Sequence, residues 1–391
     1  MQGWEDVVVR WLLSPPARGL TTEALFEGFA QQVSAAGPAL ERMASSVPTK
    51  HPELFVLAVV WSRGSPVQIH RRVRTLVHTP GFLHSPVRDL LEGAERIRCR
   101  LQGPEADLAY PVCAELAADG LTDYAAFPLH FAGGQRSFVS FATRRPGGFD
   151  DAHLDGLARL CDALSLRVEL SSSVLATESL LEVYLGANAA RRVSAGAFVR
   201  GSGQVLSAAI FYCDLRGFTA MADSRSPQEV VATLDAFFDH VAAPIHARGG
   251  EILKFIGDAV LAVFTQDEGG AVACRAACES AQEALAGFDR WNVERAAAGD
   301  APLRLGIALH RGEVFYGNIG AQDRLDFTVI GRAVNEASRI ESLCKTLGVP
   351  VLITAAVRDA APDLPVVPVG RQSLRGVASE VELYTFPVPS R

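Results

Sequence analysis

The sequence contains no apolar run near the ~18 residues that span a bilayer. Its longest, Leu54 to Trp61, is strand-length. The opening MQGWEDVVVRW brings acids early and no long apolar stretch, which argues against a secretory signal and sets the expectation of a cytoplasmic protein. Positive charge is not in excess. Thirty-seven Lys and Arg against 44 Asp and Glu leave a net charge of -7, which disfavours a general binder of nucleic acid or anionic membrane but allows a local basic pocket for a triphosphate. Seven cysteines, odd in number and scattered, argue against a disulfide framework. Cys274 and Cys278 stand four apart in an Ala-rich stretch and read as small buried apolar residues, since no further Cys or His lies nearby at ligand spacing. Walker-type loops, nucleophile elbows and zinc spacings are absent. What is present is ordinary for a soluble globular chain: 391 residues, 49% apolar and 21% charged, enough for two or three domains.

Four stretches separate along the chain. Residues 1–50 read as mainly helical, with Thr21 or Thr22 capping LFEGFAQQV. Residues 51–150 are mixed. Leu54 to Trp61, Tyr124 to His130 and Ser137 to Thr143 predict strands, the last two joined by a turn at Ala132 to Gln135. VRDLLEGAERIRCRL, 87–101, predicts a helix. Residues 151–204 predict a long helix and linker capped by Asp150 or Asp151. Leu154, Leu157, Cys161, Leu164 and Val168 fall at spacings of 3, 4, 3 and 4, an a/d heptad seam. That seam fits a dimerising signalling helix, or an amphipathic helix packed on its own domain.

From 205 to 391 short strands and helices alternate, which predicts an α+β domain, an α/β sandwich built on βαβ units. AAIFYCD predicts a strand, Pro227 to Ala247 a helix capped by Ser226, and EILKFIGDAVLAVF a hairpin turning at Gly257-Asp258. Gly269 to about Ala298 predicts an Ala-rich helix, and LRLGIALHRGEVFYGNIG a second hairpin. Two acids stand out. Asp214 ends a very apolar strand and Asp258 sits in a hairpin turn, each beside a glycine or close to one, where backbone can approach a ligand. Brought together they suit Mg²⁺ or Mn²⁺, which favour carboxylate and phosphate oxygens. Taken singly, each also fits a turn Asp bonding to local backbone.

Four ordered motifs carry a resemblance: Phe211-Tyr-Cys-Asp-Leu-Arg-Gly-Phe-Thr219, Gly250-Glu-Ile-Leu-Lys-Phe-Ile-Gly-Asp258, Gly306-Ile-Ala-Leu-His-Arg-Gly-Glu313 and Asp326-Phe-Thr-Val-Ile-Gly-Arg-Ala-Val-Asn-Glu-Ala-Ser-Arg339. Together they resemble the class III adenylyl/guanylyl cyclase catalytic domain, which implies a ferredoxin-like βαββαβ core. The reaction so implied is attack of the ribose 3′-oxygen of ATP on the α-phosphorus, expelling pyrophosphate, with two divalent metal ions (Mg²⁺ or Mn²⁺) per site. The resemblance makes Asp214 and Asp258 the metal carboxylates, with a carbonyl from Leu215. It puts amides around Gly217, Phe218 and Thr219 on phosphate oxygens, Asn335 on the ribose and Arg339 on the charge of the pentavalent phosphoryl group. Arg375 stands where the family has a triphosphate-binding Lys, and Arg324 is a further phosphate contact. Lys254 and Thr328 become the base readers, the pairing of one adenylyl subgroup; guanylyl cyclases carry an acid and usually a Cys there. Arg332 departs from the pattern, because an acid or Asn usually follows that Gly. In this family one chain supplies the metal acids and the base-reading Lys while its partner supplies the Asn/Arg pair, which implies a homodimer.

The front half resembles, over a short stretch from Tyr124 through the helix after Phe149, the end of a GAF sensory domain, with PAS-like as the competitor and an unknown regulatory ligand or partner implied. Rival readings are a guanylate cyclase, a catalytically silent nucleotide-binding sensor, and a diguanylate cyclase, whose signature Gly249-Gly250-Glu251 matches only in part.

Overall fold

A computed structural model describes residues 3–52, 54–265, 270–376 and 379–387. The chain divides into two compact units, Met1–Val183 and Tyr184–Arg391. Each is a mixed α+β structure built on one sheet.

In the first unit, α1 (Trp4–Leu13), α2 (Pro15–Arg18) and α3 (Thr22–Ala36) precede the strands β1 (Arg42–Pro48), β2 (Leu54–Ser62) and β3 (Gln68–Val73). Then follow α4 (Pro80–Leu83), α5 (Pro86–Glu92), β4 (Ile97–Arg100), α6 (Pro111–Ala118), β5 (Asp123–His130), β6 (Arg136–Thr143) and α7 (Asp151–Leu185). The sheet order is β3-β2-β1-β6-β5-β4, antiparallel throughout. Residues of α1, α3 and α7 bury one face of the sheet, with Phe26, Phe29, Phe141 and Leu157 at its centre. Residues of α5 and α6 bury the other, around Leu90, Cys99, Cys113 and Tyr124.

Two expectations need correction, and a third is narrowed to one of its two readings. Arg42–Pro48 is a strand inside the stretch read as helical; its small residues pair with β2 and β6 in the middle of the sheet, and tertiary pairing overrides weak local propensity. The helix expected over 87–101 stops at Glu92, because Gly93 takes φ 129°, and Ile97–Arg100 pairs with β5 instead. The heptad seam belongs to the unit's own core. Leu154, Leu157, Cys161, Leu164 and Val168 are all buried among α1, α3 and the sheet, while Leu166, Leu170 and Val174 are exposed on another side of α7. The cap of α7 is Asp150, whose Oδ1 accepts from His153 N at 2.9 Å.

The second unit begins with α8 (Ala187–Ser194), β7 (Gly203–Arg216), α9 (Phe218–Ser224) and α10 (Pro227–Ala247), the last opened by Ser226 and Glu229 in a reciprocal capping box. Next come β8 (Glu251–Ile256), β9 (Ala259–Phe264), α11 (Ala271–Ala297), β10 (Arg304–Gly320), β11 (Leu325–Ile330) and α12 (Arg332–Leu347). β12 (Val351–Thr354), α13 (Ala355–Ala360), β13 (Val367–Gln372) and β14 (Val381–Thr385) close it. The sheet runs β13-β14-β12-β10-β7-β9-β8, with β11 also on β10. Among the described strands of this sheet only β10 and β12 pair in parallel. The expected hairpin over LRLGIALHRGEVFYGNIG is one uninterrupted strand, β10, because β7 pairs along it from Arg304 to Gly317. Its turn comes later, before β11.

β7 is buried on both faces, which explains its unbroken apolar run. Phe211, Cys213 and Leu215 face α10 and α11, packing with Phe237, Val241 and Ile245. Ala208 and Ile210 pack with Ala333 and Ala337 of α12. The two-residue period then carries Asp214 and Arg216 to the α12 face.

One buried polar knot fixes the start of α7. Asp123, fully buried, accepts from Arg98 Nη2 and from Phe149 N, both at 2.9 Å. Asp123→Ala leaves the Phe149 amide unpaired and takes the carboxylate from Arg98, which keeps only its bond to Phe149 O at 2.5 Å. It should destabilise the first unit by about 2–3 kcal/mol, read as faster hydrogen exchange in β4–β6 with the second unit unchanged.

Candidate active site

The β7 strand ends at the turn joining β8 to β9, and the register sets Asp214 opposite Ala259, the residue after Asp258. Leu215 N donates to Asp258 O at 3.3 Å, which locks the turn to the strand end. The two carboxyl groups meet here. Burial, then the charge of Asp258, push Asp214 up to about 6, with Arg216 pulling the other way. Arg216 Nη1 lies 3.8 Å from Asp214 Oδ2. Its other branch pairs with the Glu341 carboxylate of α12 and donates to Glu341 O at 2.8 Å. Burial in turn holds Glu341 up at about 7.

This donor set fits a divalent cation. Two carboxylates crowded together carry more negative charge than one arginine offsets, and oxygen is the donor that Mg²⁺ and Mn²⁺ prefer. Among the described residues no group of three His, Cys, Asp or Glu converges, so backbone, water and phosphate oxygens would complete the shell. Leu215, buried, lies at the same strand end. Gly217 takes φ 83° as the N-cap of α9, so the chain turns there and the first amides of that helix, at Phe218 and Thr219, lack partners within it.

Lys254 lies on β8, on the same sheet face as Leu261, which it opposes. Its Nζ donates to Asp326 Oδ2 at 2.6 Å. Asp326 and Thr328 stand two apart on β11 and therefore point to one side. Thr328 is buried. The structure thus brings Lys254 to the strand carrying Thr328, through a residue, Asp326, that motif reading passed over. A carboxylate two positions from a predicted base reader was the available signal.

Asn335 and Arg339 are exposed on α12, one turn apart, and neither side chain makes a hydrogen bond or ion pair among the described residues. Arg339 lies against the 374–376 turn, where a Cβ added at Gly376 would come 3.4 Å from its Nη1, so Arg375 is a close chain neighbour. Arg375 is exposed. Arg324, also exposed, sits in the β10–β11 turn, where its carbonyl accepts from Ala321 N at 2.8 Å. Arg332, the departure at the start of α12, pairs with Glu336 at 2.6 Å, and Glu336 reaches His310 Nε2 at 3.2 Å. Burial lowers the pKa of His310, with Glu336 opposing it. The local answer to Arg332 is therefore an ion pair along its own helix.

Residues 202–387 match the family described as the adenylate and guanylate cyclase catalytic domain. The second unit carries a class III cyclase catalytic domain. The adenylate cyclase of Anabaena cylindrica is 36% identical to the chain over 186 residues, 47% of this chain and 34% of that protein. Adenylate cyclase 1 of Rhizobium meliloti (strain 1021) is 31% identical over 174 residues, 44% of this chain and 26% of that one. The chain spans about a third or less of the length of these curated relatives. Among solved structures, the guanylyl cyclase Cya2 shares 30% identity at a TM-score of 0.42, covering 46% of this chain and 92% of its own. No helix among the described residues of the cyclase domain, or of the first unit, is long and apolar enough to cross a membrane.

The raised Asp214 carries a stability consequence. Below the unfolded value of 3.8 the group is neutral in both states; as pH rises through about 6 it must ionise beside Asp258, and stability is lost. Asp214→Asn should therefore raise the metal-free melting temperature by a few degrees at pH 8, and the gain should shrink toward pH 4. Mn²⁺ should raise the melting temperature of the unaltered protein, and the same variant should lose that shift. Melting curves across that pH range, with and without Mn²⁺, check both.

Proposed function

We propose that the protein is an adenylate cyclase, converting ATP to 3′,5′-cyclic AMP and pyrophosphate as a homodimer. The observation that carries this reading is the Asp214–Asp258 carboxyl pair at the end of β7, on the sheet that also holds Lys254. Two relatives named adenylate cyclase support it.

In this reading Asp214, Asp258 and the Leu215 carbonyl would hold two divalent ions (Mg²⁺ or Mn²⁺). The metal would supply a lowered pKa for the ribose 3′-hydroxyl and charge neutralisation for the triphosphate. The amides of Phe218 and Thr219 take phosphate oxygens at a helix start. Arg375 and Arg324 add cationic contacts to the triphosphate. Asn335 orients the ribose so that its 3′-oxygen lies in line with the α-phosphorus. Arg339 then meets the charge that builds as the new P–O bond forms and the bond to pyrophosphate breaks, its forked donors matching the phosphoryl oxygens. Lys254 donates to adenine N1 and Thr328 accepts from the 6-amino group. Guanine presents the opposite pattern at these edges, N1–H and a carbonyl, so a site with these two partners favours ATP.

Among the described residues the Asn335 and Arg339 side chains have no hydrogen-bond or ion-pair partner, which fits a role in the site of a second copy. In the first unit, the antiparallel order β3-β2-β1-β6-β5-β4 with helices on both faces supports a GAF-like sensory reading, its ligand unidentified.

Cyclic nucleotide formation from ATP and from GTP, with Mg²⁺ or Mn²⁺, tests the activity. Asp214→Asn and Arg339→Ala should each lower kcat at least ~100-fold. Mixed in equal amounts, they should recover about a quarter of wild-type activity, because half the dimers regain one of two sites. Absence of recovery in demonstrated heterodimers overturns the shared site. Lys254→Ala should cut kcat/KM for ATP by about 10–100-fold while that for GTP changes little.

A further inference from the structure

Glu251 opens β8 and is buried, with 9% of its surface exposed. An acid in such a place needs donors. Tyr316 Oη of β10 donates to its Oε2 at 2.6 Å, and Asn188 Nδ2 of α8 donates to the same atom at 3.2 Å. Burial, then the bond to Glu251, keep the Tyr316 hydroxyl protonated well beyond its ordinary range. Asn188 Oδ1 in turn accepts from Arg191, and the Arg192 guanidinium lies 5.0 Å from the Tyr316 ring centre. Three elements far apart in sequence thus meet on one carboxyl group.

Both strands proposed to read the base leave from this cluster. On β8 the ladder to β9 shifts between Ile252 and Lys254, so Glu251 opposite Val263 and Lys254 opposite Leu261 share one face although three residues apart. On the other side, the Tyr316 ring meets Phe327 edge-on, centroids 4.8 Å apart at 88°. Phe327 is flanked in β11 by Asp326, which holds Lys254, and Thr328. Two positions along β10, buried Asn318 donates to Ala197 O at 2.7 Å and to Ser202 Oγ at 3.1 Å, fastening the segment after α8 to the strand that pairs with Phe327. The element before β7 is therefore bonded to the supports of Lys254 and Thr328, while Asp214 takes its ion pair from Arg216.

We propose that Glu251, Asn188 and Tyr316 form a positioning cluster tying α8 to the two base-reading strands, so that the setting of α8 controls nucleotide affinity and base choice. The proposal rests on the base-reading roles given above. It predicts a KM and selectivity effect with turnover left largely intact, because none of the three residues touches the metal carboxylates.

Tyr316→Phe keeps the ring against Phe327 and removes only the hydroxyl. It should raise KM for ATP about 3–10-fold and lower the ATP-over-GTP preference by a similar factor, with kcat within about twofold. Asn188→Ala should shift both quantities in the same direction. Glu251→Gln keeps an acceptor for both donors and should stay within about twofold of wild type in KM. Half-saturating Mn²⁺ should be unchanged in all three, and melting curves report their folding. Loss of kcat at unchanged KM, or unchanged KM and selectivity in well-folded Tyr316→Phe and Asn188→Ala, overturns the cluster's role. An unaltered protein that forms no cyclic AMP overturns the underlying activity instead, so the two failures are told apart.

Discussion

Two carboxyl groups held side by side in a half-buried site repel, and here burial and that repulsion push Asp214 toward its neutral form. Asp214 and Asp258 are in that position, and the parts of the second unit around them hold it in place. β7 cannot relax away, because it is paired along its length with β10 and on its other edge with β9. The turn cannot swing out, because Leu215 N is bonded to Asp258 O. Arg216 offsets part of the charge and is itself anchored to Glu341 of α12. The scaffold thus holds an arrangement that is unfavourable alone and that a cation would relieve, as the proposed function requires.

The same logic of burial with partners recurs elsewhere with different outcomes. Asp123 is fully buried, yet its donors come from Arg98 and a backbone amide, so it knots a strand to the start of α7. Glu251 is nearly as buried; its Oε2 draws donors from two separate elements, while its Oε1 has none among the described residues. What a buried polar group specifies depends on where its partners come from.

Asp214 and Asp258 stood out in the sequence as acids at a strand end and in a hairpin turn, and the fold brings those two places together. Lys254 and Thr328 were marked only by the family resemblance of the motifs that contain them. The long β10 was not legible, because His310 and Gly312 look like a turn until β7 is known to pair straight past them. Asp326 escaped because its significance is a contact with a residue 72 positions away. In the first unit, the heptad spacing was read correctly as a helix face, but spacing alone does not say whether that face meets a second copy or its own core. Phe26, Phe29 and Val168 meeting in one cluster answer that. β1 was missed because a strand of small residues in mid-sheet owes its state to its neighbours.

The irregularity in β8 has a consequence for how the catalytic domain can change over generations. The interval from Glu251 to Asp258 is held at both ends: one end is set in the core, the other in the turn, and the extra residue is taken up between Ile252 and Lys254. Loss of the extra residue would only straighten the strand and leave the lysine opposite Leu261, whereas insertion of one more residue there, with the rest of the ladder kept, would send the ammonium group to the opposite face. Substitution in this strand is a graded change. Insertion is not, so β8 tolerates a change of letters far better than added length.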